Sequence, residues 1–347
     1  MIIKKHMKKR ICIAGMNGYT GQILKKLINN HPNFELVGSL GLSSNKKDQY
    51  RYFLDDLNSE NFDVDFLLLA TPADISIEIV DKINQKNINT KILDLSGAFR
   101  LKKEGLERWY GLTHSIPAFD DGAKYGLSPY VKFSDKDTLI ANPGCYATCI
   151  LLSIIPLLKN NLIKPDNIII DAKSGVSGAG KTPSSELMFS EMLNNFYPYK
   201  IGKHQHTPEI LKYLADFNLE EDNFFLSTSM LPIHSGISIS IYADLNFSKD
   251  MLNNNDIKRV INEAYDNEYN NYPLFKFIDM TKQSNETLLS FLSIKSVVNT
   301  PNTQLGFLVK GNKIIIFACI DNLLKGAATQ ALENLNNYYD LPVDTGL

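Results

Sequence analysis

Cys145 stands in the stretch Asn142-Pro143-Gly144-Cys145-Tyr146-Ala147-Thr148, between an apolar run (138–141) and an apolar, helix-length segment (147–159). A strand, a tight Pro-Gly turn and a helix would place its thiol at a helix N-terminus. Free backbone N–H groups and the helix dipole favour a thiolate there. The thiolate is the nucleophilic form, and Gly144 lets the backbone bend and leaves room for a substrate. A second cluster is His204-Gln205-His206-Thr207-Pro208-Glu209-Ile210, with Thr207 expected as an N-cap and Pro208 at the first helical position. Two histidines two apart could begin a zinc site, but no third ligand is evident, so a general acid/base beside the thiolate is the better reading. Cys149, one helical turn after Cys145, has no His or second cysteine pair nearby, and no metal site is expected.

A third feature is Gly15-Met16-Asn17-Gly18-Tyr19-Thr20-Gly21, directly after an apolar run (10–14) and before a helical pattern (22–30). Glycines spaced G-x-x-G-x-x-G in a strand–turn–helix unit let backbone N–H groups approach a dinucleotide pyrophosphate. The next strand (34–39) is not followed by the acidic residue that holds a ribose 2′-hydroxyl in NAD enzymes. The chain continues Gly41-Leu42-Ser43-Ser44-Asn45-Lys46-Lys47, whose hydroxyls and lysines suit a 2′-phosphate and favour NADP.

The elements that must hold these residues follow in order. Residues 64–70 read as a buried strand ended by Thr71-Pro72, with Asp74 expected to cap the helix after it. Residues 91–95 form a further strand, followed by Ser96-Gly97-Ala98-Phe99-Arg100. Alternating strands and helices over the first 141 residues imply a Rossmann-type, doubly wound parallel sheet in an α/β chain, with ligands beyond the strand C-termini. The turns at Gly15, Thr71, Ser96 and Asn142 would face that crevice, as would Arg100. After the Cys145 helix, a strand (167–172) leads into Ser174-Gly175-Val176-Ser177-Gly178-Ala179-Gly180-Lys181. That loop lacks the spacing of a triphosphate-binding loop and is expected over a substrate. Strands at 224–230, 236–245, 288–298, 306–309 and 313–320 alternate with period two. They give an α+β second domain with a largely antiparallel sheet and a helix at 256–269. The expected domains are 1–144 with 322–347, and 145–321, the last helix returning to the first domain.

At 347 residues with a formal net charge of −2, the chain has room for two cores and no basic block outside its first ten residues. A nucleic-acid partner is therefore not expected. No apolar run reaches membrane-spanning length, and the short run after the first lysines reads as a strand rather than a signal peptide, so a cytoplasmic protein is expected. Four cysteines in a chain this long do not make a disulfide framework.

Together the glycine turn, Asp94-Leu95-Ser96 with Phe99-Arg100-Leu101, Trp109-Tyr110-Gly111, Tyr125-Gly126-Leu127, the Cys145 turn, the loop 174–181, His204 to Ile210 and Asn322 to Ala327 resemble the N-acetyl-gamma-glutamyl-phosphate reductases. The resemblance spans nearly the whole chain. It implies an NADPH enzyme, a homodimer or homotetramer, related to aspartate-semialdehyde dehydrogenase. It implies Cys145 as the nucleophile toward an acyl phosphate and His206 as acid/base. His204, Ser177, Asn142 and Arg100 would contact substrate, Arg100 at the phosphate. The cofactor would be held by Gly15, Asn17, Gly18, Tyr19, Thr20, Gly21, Ser43, Ser44, Thr71, Pro72, Ser96, Gly178 and Asn322. Two departures bear on the acyl group. Pro232-Ile233-His234-Ser235-Gly236 has serine where the family often has arginine, and Pro72-Ala73-Asp74 lacks the usual His-Gly after Pro. The same chemistry on a carrier-linked aminoadipyl phosphate or on aspartyl phosphate is the alternative, and a non-catalytic NADP-binding sensor the alternative of another class.

Overall fold

The computed structural model describes residues 8–42, 51–247 and 254–347. They form two compact units, 1–144 with 327–347 and 145–326, so the chain returns to the first unit a few residues later than 322.

The first unit contains β1 (Lys9–Ala14), α1 (Tyr19–Asn30), β2 (Phe34–Gly41), β3 (Tyr52–Phe53), β4 (Phe66–Leu69), α2 (Ala73–Gln85), β5 (Lys91–Asp94), α3 (Lys103–Tyr110), β6 (Lys124–Tyr125) and β7 (Leu139–Ala141). The seven strands run in the order β3-β2-β1-β4-β5-β7-β6, all pairs parallel. Both faces are covered, which explains why the strands read as unbroken apolar runs. Ile11, Ile13, Phe66 and Leu68 face a layer made by Leu24 and Ile28 of α1 and by Ala331, Leu332 and Leu335 of the C-terminal helix (Thr329–Tyr338). Cys12, Ala14, Leu67 and Leu69, offset by one residue, face Ile79, Val80 and Ile83 of α2. Each fully buried aliphatic side chain contributes about 1.5–3 kcal/mol. The two layers fix strand register and bring the turns after β1, β4, β5 and β7 to one edge.

The second unit begins with α4 (Cys145–Lys159), buried from Tyr146 to Leu158. A helix apolar all round belongs inside a core. It is followed by β8 (Ile168–Gly175), α5 (Phe189–Met192), β9 (Tyr197–Pro198), α6 (His206–Tyr213), β10 (Phe224–Leu231), β11 (Ile237–Asp244), α7 (Asn254–Tyr269), β12 (Phe275–Asp279), α8 (Asn285–Phe291), α9 (Ile294–Val297), β13 (Thr303–Lys310) and β14 (Lys313–Ile320). The sheet order is β12-β13-β14-β11-β8-β10-β9. Its centre is antiparallel, while β8–β10 and β12–β13 are parallel. Helix α7 is tied to α4 by the Tyr265 and Tyr269 hydroxyls, which donate to the Ser153 and Leu152 carbonyls at 2.7 and 2.6 Å.

Three local expectations are corrected. Residues 288–298 form helical turns, not a strand. Ser284 Oγ accepts the Thr287 N–H at 3.1 Å and caps α8, and Ser290, Ser293 and Ser296 recur every three residues, a helical spacing. Asp74 does not cap α2, because Pro72 occupies that position with its fixed φ of −54° and accepts the Ser76 N–H. Thr207 does not cap α6, which begins one residue earlier at His206. The Thr207 N–H turns back to the His204 carbonyl at 2.9 Å, and the His204 ring takes the capping role described below.

Candidate active site

In the first unit, Gly15 has φ +77°, and a Cβ there would lie 2.2 Å from the Ala70 carbonyl oxygen at the end of β4. A Cβ at Gly21 would lie 2.2 Å from the Gly15 carbonyl oxygen. Only glycine permits this turn, which folds back through a Gly18 N–H to Gly15 O bond of 3.0 Å and opens α1 at Tyr19. Asn17, Gly18, Tyr19 and Thr20 lie on that bend, so the first backbone N–H groups of α1 point where a pyrophosphate would be received. The residues present therefore fit a dinucleotide. Ser43, Ser44, Lys46 and Lys47 lie outside the described residues.

At the same strand edge, Thr71 Oγ1 and Ser76 Oγ are 2.8 Å apart, beside Pro72. Asp94 is wholly buried and accepts the Ser96 N–H (3.0 Å) and hydroxyl (2.8 Å). Burial pushes its carboxyl above the ordinary range, and the Ser96 hydrogen bonds and Arg100 oppose that rise. Arg100 is 7% exposed. Its Nε donates to the Asn142 carbonyl and a terminal nitrogen donates to the Leu95 carbonyl, both at 2.8 Å. The guanidinium thus ties the ends of β5 and β7 together. Asn142 is fully buried. Its amide donates to the Ala327 carbonyl at 3.3 Å and its Oδ1 accepts from Asn334 at 3.0 Å. This fixes the strand end that leads into Pro143, Gly144 and the cysteine.

In the second unit, Cys145 is the first residue of α4 and is partly exposed, whereas Cys12, Cys149 and Cys319 are buried. Burial pushes the Cys12 and Cys319 thiols up to about 12 and that of Cys149 well above its ordinary value. The adjoining Tyr146 ring stands edge-on to His204 at 5.2 Å and to His206 at 5.9 Å between centroids, and the two imidazoles are 4.7 Å apart. The Tyr199 hydroxyl donates to that of Tyr146 at 3.1 Å, and the Tyr199 ring meets His204 at 5.8 Å. Both imidazoles thus gather around the ring of the residue that follows Cys145.

The two imidazoles differ in environment. His204 is buried, and its Nδ1 accepts the His206 backbone N–H at 3.2 Å, which places the ring proton on Nε2. Burial, reinforced by His206 and Lys200 and opposed by Glu209, lowers its pKa to about 2. Burial thus favours the neutral, hydrogen-bonding form of His204. His206 Nε2 lies 4.0 Å from the buried Glu209 carboxylate, one turn along α6. That carboxylate gives a proton held by His206 a counter-charge, so the structure distinguishes the two rings chemically.

Neutral burial of His204 has a consequence for stability. Its folded pKa lies below the ordinary 6.5, so the unfolded chain binds more protons below that pH. The stabilisation is present above about pH 6.5 and is lost as pH falls toward 2, at a limit of about 1.4 kcal/mol per pH unit. The melting temperature of His204→Gln should therefore fall less between pH 7 and pH 5 than that of the unsubstituted protein. Equal falls would show that His204 does not carry this proton linkage.

Ser177 lies in a short turn after β8 and is buried. Asn322 Nδ2 donates to its Oγ at 3.1 Å, while Asn322 Oδ1 accepts the Gly236 N–H at 2.7 Å. A Cβ on Gly178 would meet Ser174 Oγ and Asn322 Nδ2 at 3.4 and 3.7 Å. One buried amide therefore links the small-residue loop, β11 and the turn after β14. His234 is exposed and Ser235 half-buried beside it. The sequence reading missed Glu209, three residues after His206 and so on its face of α6, a spacing that was legible. It also missed Tyr199, which reaches the cluster only through the tertiary fold. Among the described residues there is no cluster of metal-ligating side chains and no helix long and apolar enough to cross a membrane.

Comparison with known proteins agrees with this arrangement. Residues 10–132 match the NAD-binding domain of semialdehyde dehydrogenases, and residues 145–322 match their dimerisation domain. An N-acetyl-gamma-glutamyl-phosphate reductase of Vesicomyosocius okutanii is 34% identical over 97% of both chains. One from Campylobacter jejuni subsp. doylei is 36% identical over 98% of both. The aspartate semialdehyde dehydrogenase of Francisella tularensis superposes with a TM-score of 0.67 at 17% identity, over 94% of this chain and 99% of its own, and so shares the fold. On the strength of a shared fold, both domain matches and identity sustained across the full length, the chain belongs to the N-acetyl-gamma-glutamyl-phosphate reductases, oxidoreductases of the semialdehyde dehydrogenase family.

Proposed function

We propose that this chain reduces N-acetyl-L-glutamyl 5-phosphate to N-acetyl-L-glutamate 5-semialdehyde with release of phosphate, a step of arginine biosynthesis, using NADPH. The observation that carries this reading is the partly exposed Cys145 at the start of α4, within a cluster that holds one buried neutral imidazole and one paired with a carboxylate. Similarity to the reductases of Vesicomyosocius and Campylobacter supports the acyl group.

The Cys145 sulfur, as thiolate, attacks the acyl carbon. The bond from that carbon to the phosphate oxygen breaks, phosphate leaves with the electron pair, and a thioester to Cys145 remains. The start of α4 offers backbone N–H groups and the positive end of the helix dipole to the oxyanion formed on attack. A nicotinamide held by the turn from Gly15 to Gly21 would supply the hydride that the thioester carbon needs. His206 takes the thiol proton before attack, lends it to the oxygen formed on reduction and takes it back as that oxygen becomes the aldehyde carbonyl, with Glu209 balancing its charge. Collapse releases the aldehyde and restores the thiolate. His204, uncharged, donates from Nε2 to substrate.

The first unit takes a nicotinamide dinucleotide on the turn from Gly15 to Gly21. The preference for NADP rests on sequence: no acidic residue stands directly after β2, where one would hold a ribose 2′-hydroxyl, and Ser43, Ser44, Lys46 and Lys47 follow instead. The dimerisation domain supports a homodimer or homotetramer. Ile169, Phe225 and Tyr242 are registered neighbours across β8, β10 and β11, 48, 51 and 38% exposed on the open face of the second sheet. Such a row favours coverage by a second copy.

Run in reverse, the purified protein should form NADPH from N-acetyl-glutamate semialdehyde and NADP only when phosphate is present. Phosphate-dependent turnover confined to aspartate or aminoadipate semialdehyde would move the acyl assignment, and phosphate-independent turnover would remove acyl-phosphate chemistry.

A further inference from the structure

Within the second unit, the segment following β14 reaches the nucleophile from a direction the mechanism does not use. Asp321 Oδ1 accepts the N–H groups of Leu323 and Leu324 at 2.8 and 3.2 Å, and its Oδ2 accepts that of Asn299 at 2.8 Å. The Gly326 N–H donates to the Asp321 carbonyl five residues back, at 2.9 Å. This is a widened, π-type turn, a form that recurs at functional sites. Lys325 is wholly buried, its ammonium on the Tyr272 hydroxyl and 5.0 Å from that ring's centre. Asn322 is held between Gly236 and Ser177. The anchors lie in four separate segments, after α9 (Asn299), after α7 (Tyr272), after β8 (Ser177) and before β11 (Gly236), so the turn has little freedom to shift.

Gly326 brings this fixed turn against the cysteine. A Cβ on Gly326 would lie 2.6 Å from Cys145 Cβ and 3.1 Å from Cys145 Cα, closer than side chains pack. The bare backbone of Gly326 is therefore a wall against which the nucleophile is seated. We infer that the 321–326 turn sets the position of Cys145, with Gly326 a positioning residue for acyl transfer. This rests on the reading of Cys145 as the nucleophile. The same turn carries Asn322, so one rigid element registers both the nucleophile and the Ser177 loop. A methyl group at 326 must displace Cys145, because the turn itself is pinned through Asp321, Asn322 and Lys325. Displacing a reacting atom by about 1 Å can lower turnover about 100-fold.

The test uses Gly326→Ala in the full-length chain. Its kcat should fall about 100-fold with KM changed less than about threefold. The rate of Cys145 alkylation by iodoacetamide should also fall, and its pH midpoint should move alkaline as the sulfur leaves the helix end. A stability cycle separates this from general damage. The loss of melting temperature caused by Gly326→Ala should be largely relieved in the Cys145→Gly background, where the opposing Cβ is gone. An alkylation rate and midpoint like those of the unsubstituted protein, or the same loss of melting temperature in both backgrounds, would overturn the inference. Alkylation and melting need no substrate. They decide the positioning role even if the unsubstituted protein fails to reduce the proposed acyl phosphate, an outcome that would count against the function alone.

Discussion

Cys145→Ser is expected to lower turnover by about 10⁴-fold or more while the protein still folds and binds its dinucleotide. Serine is close in size, so the loss reports chemistry rather than packing. An alkoxide is scarce at neutral pH even at a helix N-terminus, whereas a thiolate there is accessible. No other cysteine can substitute. Cys12, Cys149 and Cys319 are buried, and burial holds all three thiols far from ionisation at neutral pH. The check is twofold. In the unsubstituted protein, acyl phosphate without reductant should leave one acyl mass on the peptide containing Cys145, and iodoacetamide should block that addition. Cys145→Ser should accept neither group. Retention of more than about one per cent of phosphate-dependent turnover, or an acyl mass on a different peptide, would remove Cys145 from the mechanism.

The parts legible in the sequence are those whose physics is local. The turn from Gly15 to Gly21 announces itself because glycine alone tolerates the approach to Ala70 and the left-handed φ. The turn before Cys145 is legible because a buried strand and a wholly buried helix flank it. The C-terminal return was legible as a helix following the last strand of another domain. What failed depended on which of two local signals prevailed. Residues 288–298 read as a strand, yet Ser290, Ser293 and Ser296 recur every three residues and Ser284 caps a helix. Thr207 has the right type for an N-cap, but the ring of His204 accepts the first N–H of α6, that of His206. Asn142 is hydrogen-bonded to Ala327 and Asn334, residues nearly two hundred positions away that no local pattern joins to it. Gly326 and Tyr199 reach the cysteine cluster in the same way, through pairings that exist only once the second sheet has formed.

His206→Gln should lower kcat by about 10²- to 10⁴-fold with little change in KM. Glutamine preserves volume and hydrogen bonding but cannot accept and return a proton near neutral pH. The assignment to His206 rather than His204 rests on their surroundings. His204 has its Nδ1 engaged by a backbone N–H and its charged form excluded by burial. His206 lies 4.0 Å from Glu209, which is itself fixed on the same helix. The pH dependence separates the two roles. Loss of proton transfer should flatten the acidic limb of the kcat profile in His206→Gln. His204→Gln should keep that limb and lose activity through substrate binding, seen as a raised KM. Glu209→Gln should fall between them, shifting the limb toward lower pH because the imidazolium loses its counter-charge. A His206→Gln protein that keeps the limb, with kcat within about tenfold of the unsubstituted enzyme, would place proton transfer on a different group. If His204→Gln were the variant that lost the limb, the roles of the two rings would exchange. The buried ring would then have to charge during turnover, against the desolvation that its place beneath Tyr146 and Tyr199 imposes.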